Sequence, residues 1–82
     1  MNKTVELSQT AYQWILRHRF ISEDRIRSVV QQTPVSERLY TDEDHFEITF
    51  KTRNNCHVLQ IIIWTHERQT TYLVYKIHSQ KA

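Results

Sequence analysis

The chain has 82 residues, 39% of them apolar, a formal net charge of +2 and no glycine. That length holds one domain, and the apolar content excludes a disordered chain. The missing glycine excludes phosphate-cradling loops of the Walker and Rossmann kind, whose backbones need it for close approach; the mild positive charge permits a nucleic-acid partner without requiring one.

Cys56 is the single cysteine, so no internal disulfide forms. No apolar run approaches the ~20 residues of a membrane span, and residues 1–6 carry no apolar signal-peptide core. Together these point to a cytoplasmic protein with no membrane contact and no cofactor.

The first predicted element is a helix over 8–19. Ser8 is a good N-cap, and Leu7 and Tyr12 have the spacing of a hydrophobic staple. Ala11, Tyr12, Ile15 and Leu16 form the apolar stripe, and Arg17, His18 and Arg19 suit the negative end of the dipole. Trp14 falls on the opposite face, where it reads as a contact surface; a shifted helix phase that packs it inward is the other reading.

Ile21, Ser22 and Ile26 repeat the same cap and staple, so a second helix spans 22–32. Glu23 and Asp24 occupy its first turn, Ile26, Val29 and Val30 its buried stripe, and Pro34 ends it. Arg17, His18, Arg19, Arg25 and Arg27 gather at the corner between the helices. Such a cluster binds phosphate or forms a solvated face.

Beyond Pro34 the period changes from 3.6 to 2. A short strand is expected over 38–41, then strands over 45–52, 57–65 and 71–78. Asn54 and Asn55 would turn the central hairpin, because asparagine tolerates positive φ better than most residues. That turn sets Phe46 against Ile63, Ile48 against Ile61 and Phe50 against Leu59, all on one face. A three-residue loop at Glu67-Arg68-Gln69 would add Leu73, Tyr75 and Ile77 to that face. The predicted fold is α+β: two N-terminal helices packed on one face of a three- to four-stranded antiparallel β-meander.

The opposite face then carries His45, Glu47, Thr49 and Lys51, next Val58, Gln60, Ile62 and Trp64, then Tyr72, Val74, Lys76 and His78. Trp64 would lie between His45 and Tyr72. Aromatic rings flanked by cations suit single-stranded RNA, whose bases stack while its phosphates meet the charges. A protein partner or a second copy covering the same face is the plainer alternative. His45, Trp64, Tyr72, Lys76, His78, Trp14 and Arg19 are the candidate binding residues.

The five histidines show no metal-ligand spacing, so no metal is expected. Cys56 and His57 are adjacent beside a turn and read as bystanders rather than a nucleophile and its base.

The corner Arg19-Phe20-Ile21-Ser22-Glu23-Asp24-Arg25-Ile26, with Val29 and Val30, is similar to an "R-G-I-S-x-E-x-I…V-L" helix corner. That corner belongs to a small bacterial and archaeal domain family related to the RelE- and BrnT-type toxins. Tyr72-Leu73-Val74-Tyr75-Lys76 resembles its final strand. The family pattern has histidine, arginine and glycine where this chain has Ala11, Ile15 and Phe20. The resemblance implies a metal-independent ribonuclease or RNA-binding toxin acting through the sheet, with Lys51, Tyr72, Lys76 and His78 as agents. Cations would stabilise the developing phosphorane, and an imidazole would move the proton. A scaffold that keeps the fold without the chemistry is the competing expectation: a protein-interaction module such as a phage or mobile-element inhibitor, a regulatory subunit or a homodimer.

Overall fold

The structure, a computed structural model, describes residues 4–52, 56–65 and 71–81. The elements run β1 (Thr4–Leu7), α1 (Gln9–Arg17), α2 (Glu23–Gln32), a 3-10 turn (Val35–Glu37), β2 (Leu39–Tyr40), β3 (His45–Lys51), β4 (His57–Thr65) and β5 (Thr71–Lys81). They form two helices and a five-stranded mixed sheet of order β1-β5-β4-β3-β2.

From β2 to β5 the strands are antiparallel neighbours. β1 is the departure from the expected meander. It joins the far edge parallel to β5, pairing Thr4 to Leu7 with Thr71 to Val74. A parallel pair needs a long crossover and has no turn of its own, so four residues at the start of the chain announce little. Val5 is buried from this strand, and Arg27 of α2 donates a hydrogen bond to its carbonyl.

Both helices begin as their sequences dictate. Ser8 and Ser22 are the N-caps, accepting from the Ala11 and Arg25 amides at 3.1 Å each. α2 buries Ile26, Val29 and Val30, and Thr33 closes it before Pro34. In α1 the buried positions are Ala11 and Ile15, while Tyr12 and Leu16 are 46% and 56% exposed. Trp14 instead packs partly buried against the core, which settles the phase of the helix and turns the tryptophan inward. Ala11, Trp14, Ile15 and His18 also follow an i, i+3, i+4, i+7 stripe. Two overlapping stripes share Ala11 and Ile15, and the one carrying the larger indole is buried.

The β3–β4 register pairs Phe46 with Ile63, Ile48 with Ile61 and Phe50 with Leu59. Five of these six are fully or almost fully buried, with Phe50 packed partly buried beside them. The proposed Asn54–Asn55 turn and the Glu67–Gln69 loop lie outside the described residues.

On β5 the expected faces are inverted over half the strand. Ile62 pairs with Lys76 but Ile63 pairs with Val74, so Tyr75 is the extra residue of a β-bulge. A bulge advances the side-chain alternation by one position. Val74 is therefore buried and Tyr72 packs against the core, whereas Leu73 and Tyr75, expected in the core, are not in it. After the bulge the expected phase returns: Ile77 is buried, and Lys76 and His78 are exposed. Trp64 accordingly lies between His45 and Leu73 rather than Tyr72. The bulge is tied to the start of α1. The Ser8 amide donates to the Val74 carbonyl at 2.9 Å, and its hydroxyl donates to the Tyr75 carbonyl at 2.9 Å.

Candidate nucleic-acid interface

β1 stops at Leu7, opposite Val74, so among the described residues no strand flanks the second half of β5 on that side. An edge strand presents unpaired N–H and C=O groups, and here α1 lies alongside it. Between them runs a groove of about 420 Å³. Thr10, Gln13, Trp14, Arg17 and His18 line it from the helix side, and Lys76, Ile77, His78 and Ser79 from the strand. Four of these nine side chains are basic and none is acidic.

The helix wall is held in place. Trp14 and His18 stack with ring centroids 4.1 Å apart and planes within 14°. His18 Nδ1 lies 2.8 Å from the Trp14 carbonyl. A carbonyl only accepts, so Nδ1 carries the proton and Nε2 is the acceptor in the neutral ring. Phe20 meets both rings edge-on and itself stacks on His57 at 4.0 Å. Phe20, where the resembled family has glycine, thus serves as a packing piece of the α1–α2 corner. A smaller hollow of about 320 Å³ opens beside it, lined by Phe20, Ile21, Ser22, Arg25, Phe50 and Thr52.

The groove brings together Trp14, Lys76 and His78, which the sequence places on separate surfaces, and joins them to Arg17 and His18 of the corner cluster. It does not include the other candidates. Arg19 is exposed in the turn after α1. Tyr72 packs against the core rather than on the open face. Lys51 pairs with Val58 on β4, two strands from β5, or about 10 Å at normal strand spacing. His45 sits near the β2 edge, where it is bound to Asp42. The four proposed cleavage agents are therefore not one cluster; Lys76 and His78 alone share the groove.

The open sheet face carries Val58, Ile62, Trp64 and Leu73, none of which belongs to the buried core cluster. Its charge is mixed. Glu47 lies at its centre and accepts a hydrogen bond from Gln60 at 2.8 Å, and Glu6 pairs beside Leu73. Carboxylates oppose a phosphate backbone, so the groove is the better anion surface.

Asp42 supplies a local pH signature. His45 Nδ1 donates to its carboxylate at 2.9 Å, and the Asp44 amide donates to the same Oδ1 at 2.8 Å. These bonds, His45 first, hold the Asp42 carboxyl below the ordinary carboxylate range. A lowered folded-state pKa means that the stabilisation is present above the unfolded value and disappears as pH falls through the folded one. The loss therefore falls in the acid range, below ordinary carboxylate titration. His45→Ala is expected to move the Asp42 titration upward toward that ordinary range, as read from the carboxyl carbon shift by NMR.

Arg38 is the residue that sequence reasoning missed. Its guanidinium carbon sits 4.7 Å from the Phe46 ring centroid and 5.3 Å from that of Tyr72. Nε donates to the Thr33 carbonyl at 3.3 Å, and Nη1 donates to the Tyr40 hydroxyl at 3.5 Å. Partial burial works against the charge, but hydrogen bonding to Tyr40 and Tyr72 outweighs it, and the Arg38 pKa is raised above its ordinary value. The available signal was Arg-x-Tyr at period 2, which puts Arg38 and Tyr40 on one side of a strand.

Among the described residues no three His, Cys, Asp or Glu side chains converge to hold a metal ion. Cys56 is exposed. No described helix is long and apolar enough to cross a membrane. No protein-family model, curated protein or solved structure matches this chain.

Proposed function

We propose that this protein binds single-stranded RNA, with the phosphate backbone lying in the groove between α1 and β5. The observation that carries the reading is the groove itself: four basic side chains, no acidic one, and the Trp14 indole in the same wall. Phosphates take the cations, and unpaired bases take the ring faces. The helix-corner likeness to the RelE- and BrnT-related family supports the same substrate class. Binding is better supported than cleavage, because Lys51 and Tyr72 stand apart from Lys76 and His78.

Fluorescence anisotropy with a short labelled RNA across a salt series tests this. Each neutralised phosphate of a single strand contributes about −0.7 to the slope of log affinity on log salt. The two permanent cations, Arg17 and Lys76, therefore predict a slope of about −1.4. Affinity indifferent to salt overturns the reading.

A second reading has its own observation. Val58, Ile62, Trp64 and Leu73 lie on a sheet face whose side chains are outside the buried cluster. Such a surface fits a protein partner or a second copy. Light scattering of the RNA-free protein distinguishes the homodimer from a monomer.

A further inference from the structure

We infer that the Arg38–Tyr40–Tyr72 corner, at the opposite end of β5 from the groove, is a binding site for a phosphate oxyanion. Arg38 is partly buried, and among the described residues its partners are the Thr33 carbonyl, the Tyr40 and Tyr72 hydroxyls and two rings, with no carboxylate. Ion pairs among the described side chains join Arg27 to Glu23 and His45 to Asp42 instead. The two hydroxyls and the ring faces stabilise the cation in place but carry no negative charge of their own, so an anion brought there meets its full positive charge.

Geometry then selects the class of ligand. The guanidinium is fixed by its Nε bond to Thr33 and by its position over Phe46. Bonds to Thr33, Tyr40 and Tyr72 engage three of the five guanidinium N–H donors, which leaves two for a ligand. A hydroxyl that accepts from Arg38 keeps its own proton to donate. Tyr40, which is exposed, therefore adds a donor beside the guanidinium. A planar cation next to a phenol donor matches a tetrahedral phosphate better than a planar carboxylate, because several oxygens need donors from different directions. Free phosphate and the terminal phosphate of a nucleotide share that chemistry.

The site is independent of the groove, so its failure leaves the RNA reading standing. The test follows the Arg38 Nε–Hε resonance of the full chain by NMR at constant ionic strength, assigned by its loss in Arg38→Lys. The probes are inorganic phosphate, a 5′-phosphorylated dinucleotide and its 5′-hydroxyl form. A saturable shift with phosphate, weakened at least threefold in Tyr40→Phe and unchanged in Arg17→Gln/Lys76→Gln, is expected. Response to the 5′-phosphorylated dinucleotide alone also supports the site and assigns it to a nucleotide end. An Arg38 resonance unmoved by all three probes overturns the proposal and leaves Arg38 as a clamp on β2. An equal shift with the 5′-hydroxyl form overturns it as well. The wild-type titration decides even if a variant does not fold.

Discussion

Phe46→Ala is expected to destabilise the domain by about 3–5 kcal/mol. Phe46 has no exposed surface and pairs with Ile63 of β4, the middle strand of the sheet. Its ring meets Tyr40 at 5.3 Å and Tyr72 at 5.8 Å, and Arg38 lies over it. Truncation leaves a cavity beneath a cation, which adds to the transfer cost of the lost ring. A chain of 82 residues has a total stability of roughly 4–12 kcal/mol, so the loss removes a large share of it. Urea denaturation measures the change, with the midpoint moving and the slope nearly constant. Leu39→Ala, at an exposed neighbour on β2, should change stability by no more than about 0.5 kcal/mol. Equal effects at the two positions would mean that the core is not centred on Phe46.

Arg17→Gln combined with Lys76→Gln is expected to weaken RNA binding by up to about thirtyfold. Each removes one cation from the groove, one from each wall. An exposed charge contact is worth up to about 1 kcal/mol, and 1.4 kcal/mol is a factor of about ten. The salt slope should fall by about 1.4 at the same time, at about 0.7 per phosphate. Both side chains are exposed, so folding should be unaffected. Lys51→Gln serves as the control. It removes the same charge from the sheet two strands away and should leave the affinity almost unchanged. If Lys51→Gln weakens binding as much as the groove pair, the RNA lies across the open sheet face instead.

The parts of this fold legible in the sequence are those where one periodicity is unambiguous. Phe46, Ile48 and Phe50 alternate cleanly with His45, Glu47, Thr49 and Lys51, so one register buries every apolar residue and its slip buries none. Ser8 and Ser22 declare the helix starts through their own hydroxyl chemistry. In β5 the alternation is silent, because Tyr72, Leu73, Val74 and Tyr75 are apolar or aromatic at every position. Either phase satisfies the pattern, and the anchoring of Val74 and Tyr75 by Ser8 selects the bulge. Ser8 and Tyr75 stand 67 residues apart in the chain, beyond the reach of any local rule.

The same long-range step assembled the groove. Trp14, Arg17 and His18 were visible as a tryptophan beside basic residues, and Lys76 and His78 as basic residues on a strand. Their meeting depends on β1 ending at Leu7 and handing the free edge of β5 to α1. Arg38 stayed hidden for a related reason. An arginine before a two-residue strand reads as an edge charge until Phe46 and Tyr72 are brought beneath it.

The α1–β5 groove is the surface expected to hold the nucleic acid. A ¹⁵N–¹H correlation spectrum of the protein, recorded with and without a short oligouridine, maps the contact directly. Shifts should concentrate at the Trp14 indole, Gln13, Arg17 and the backbone of residues 76–79. Shifts confined to Val58, Ile62, Trp64 and Leu73, or a spectrum unchanged by the RNA, would contradict it.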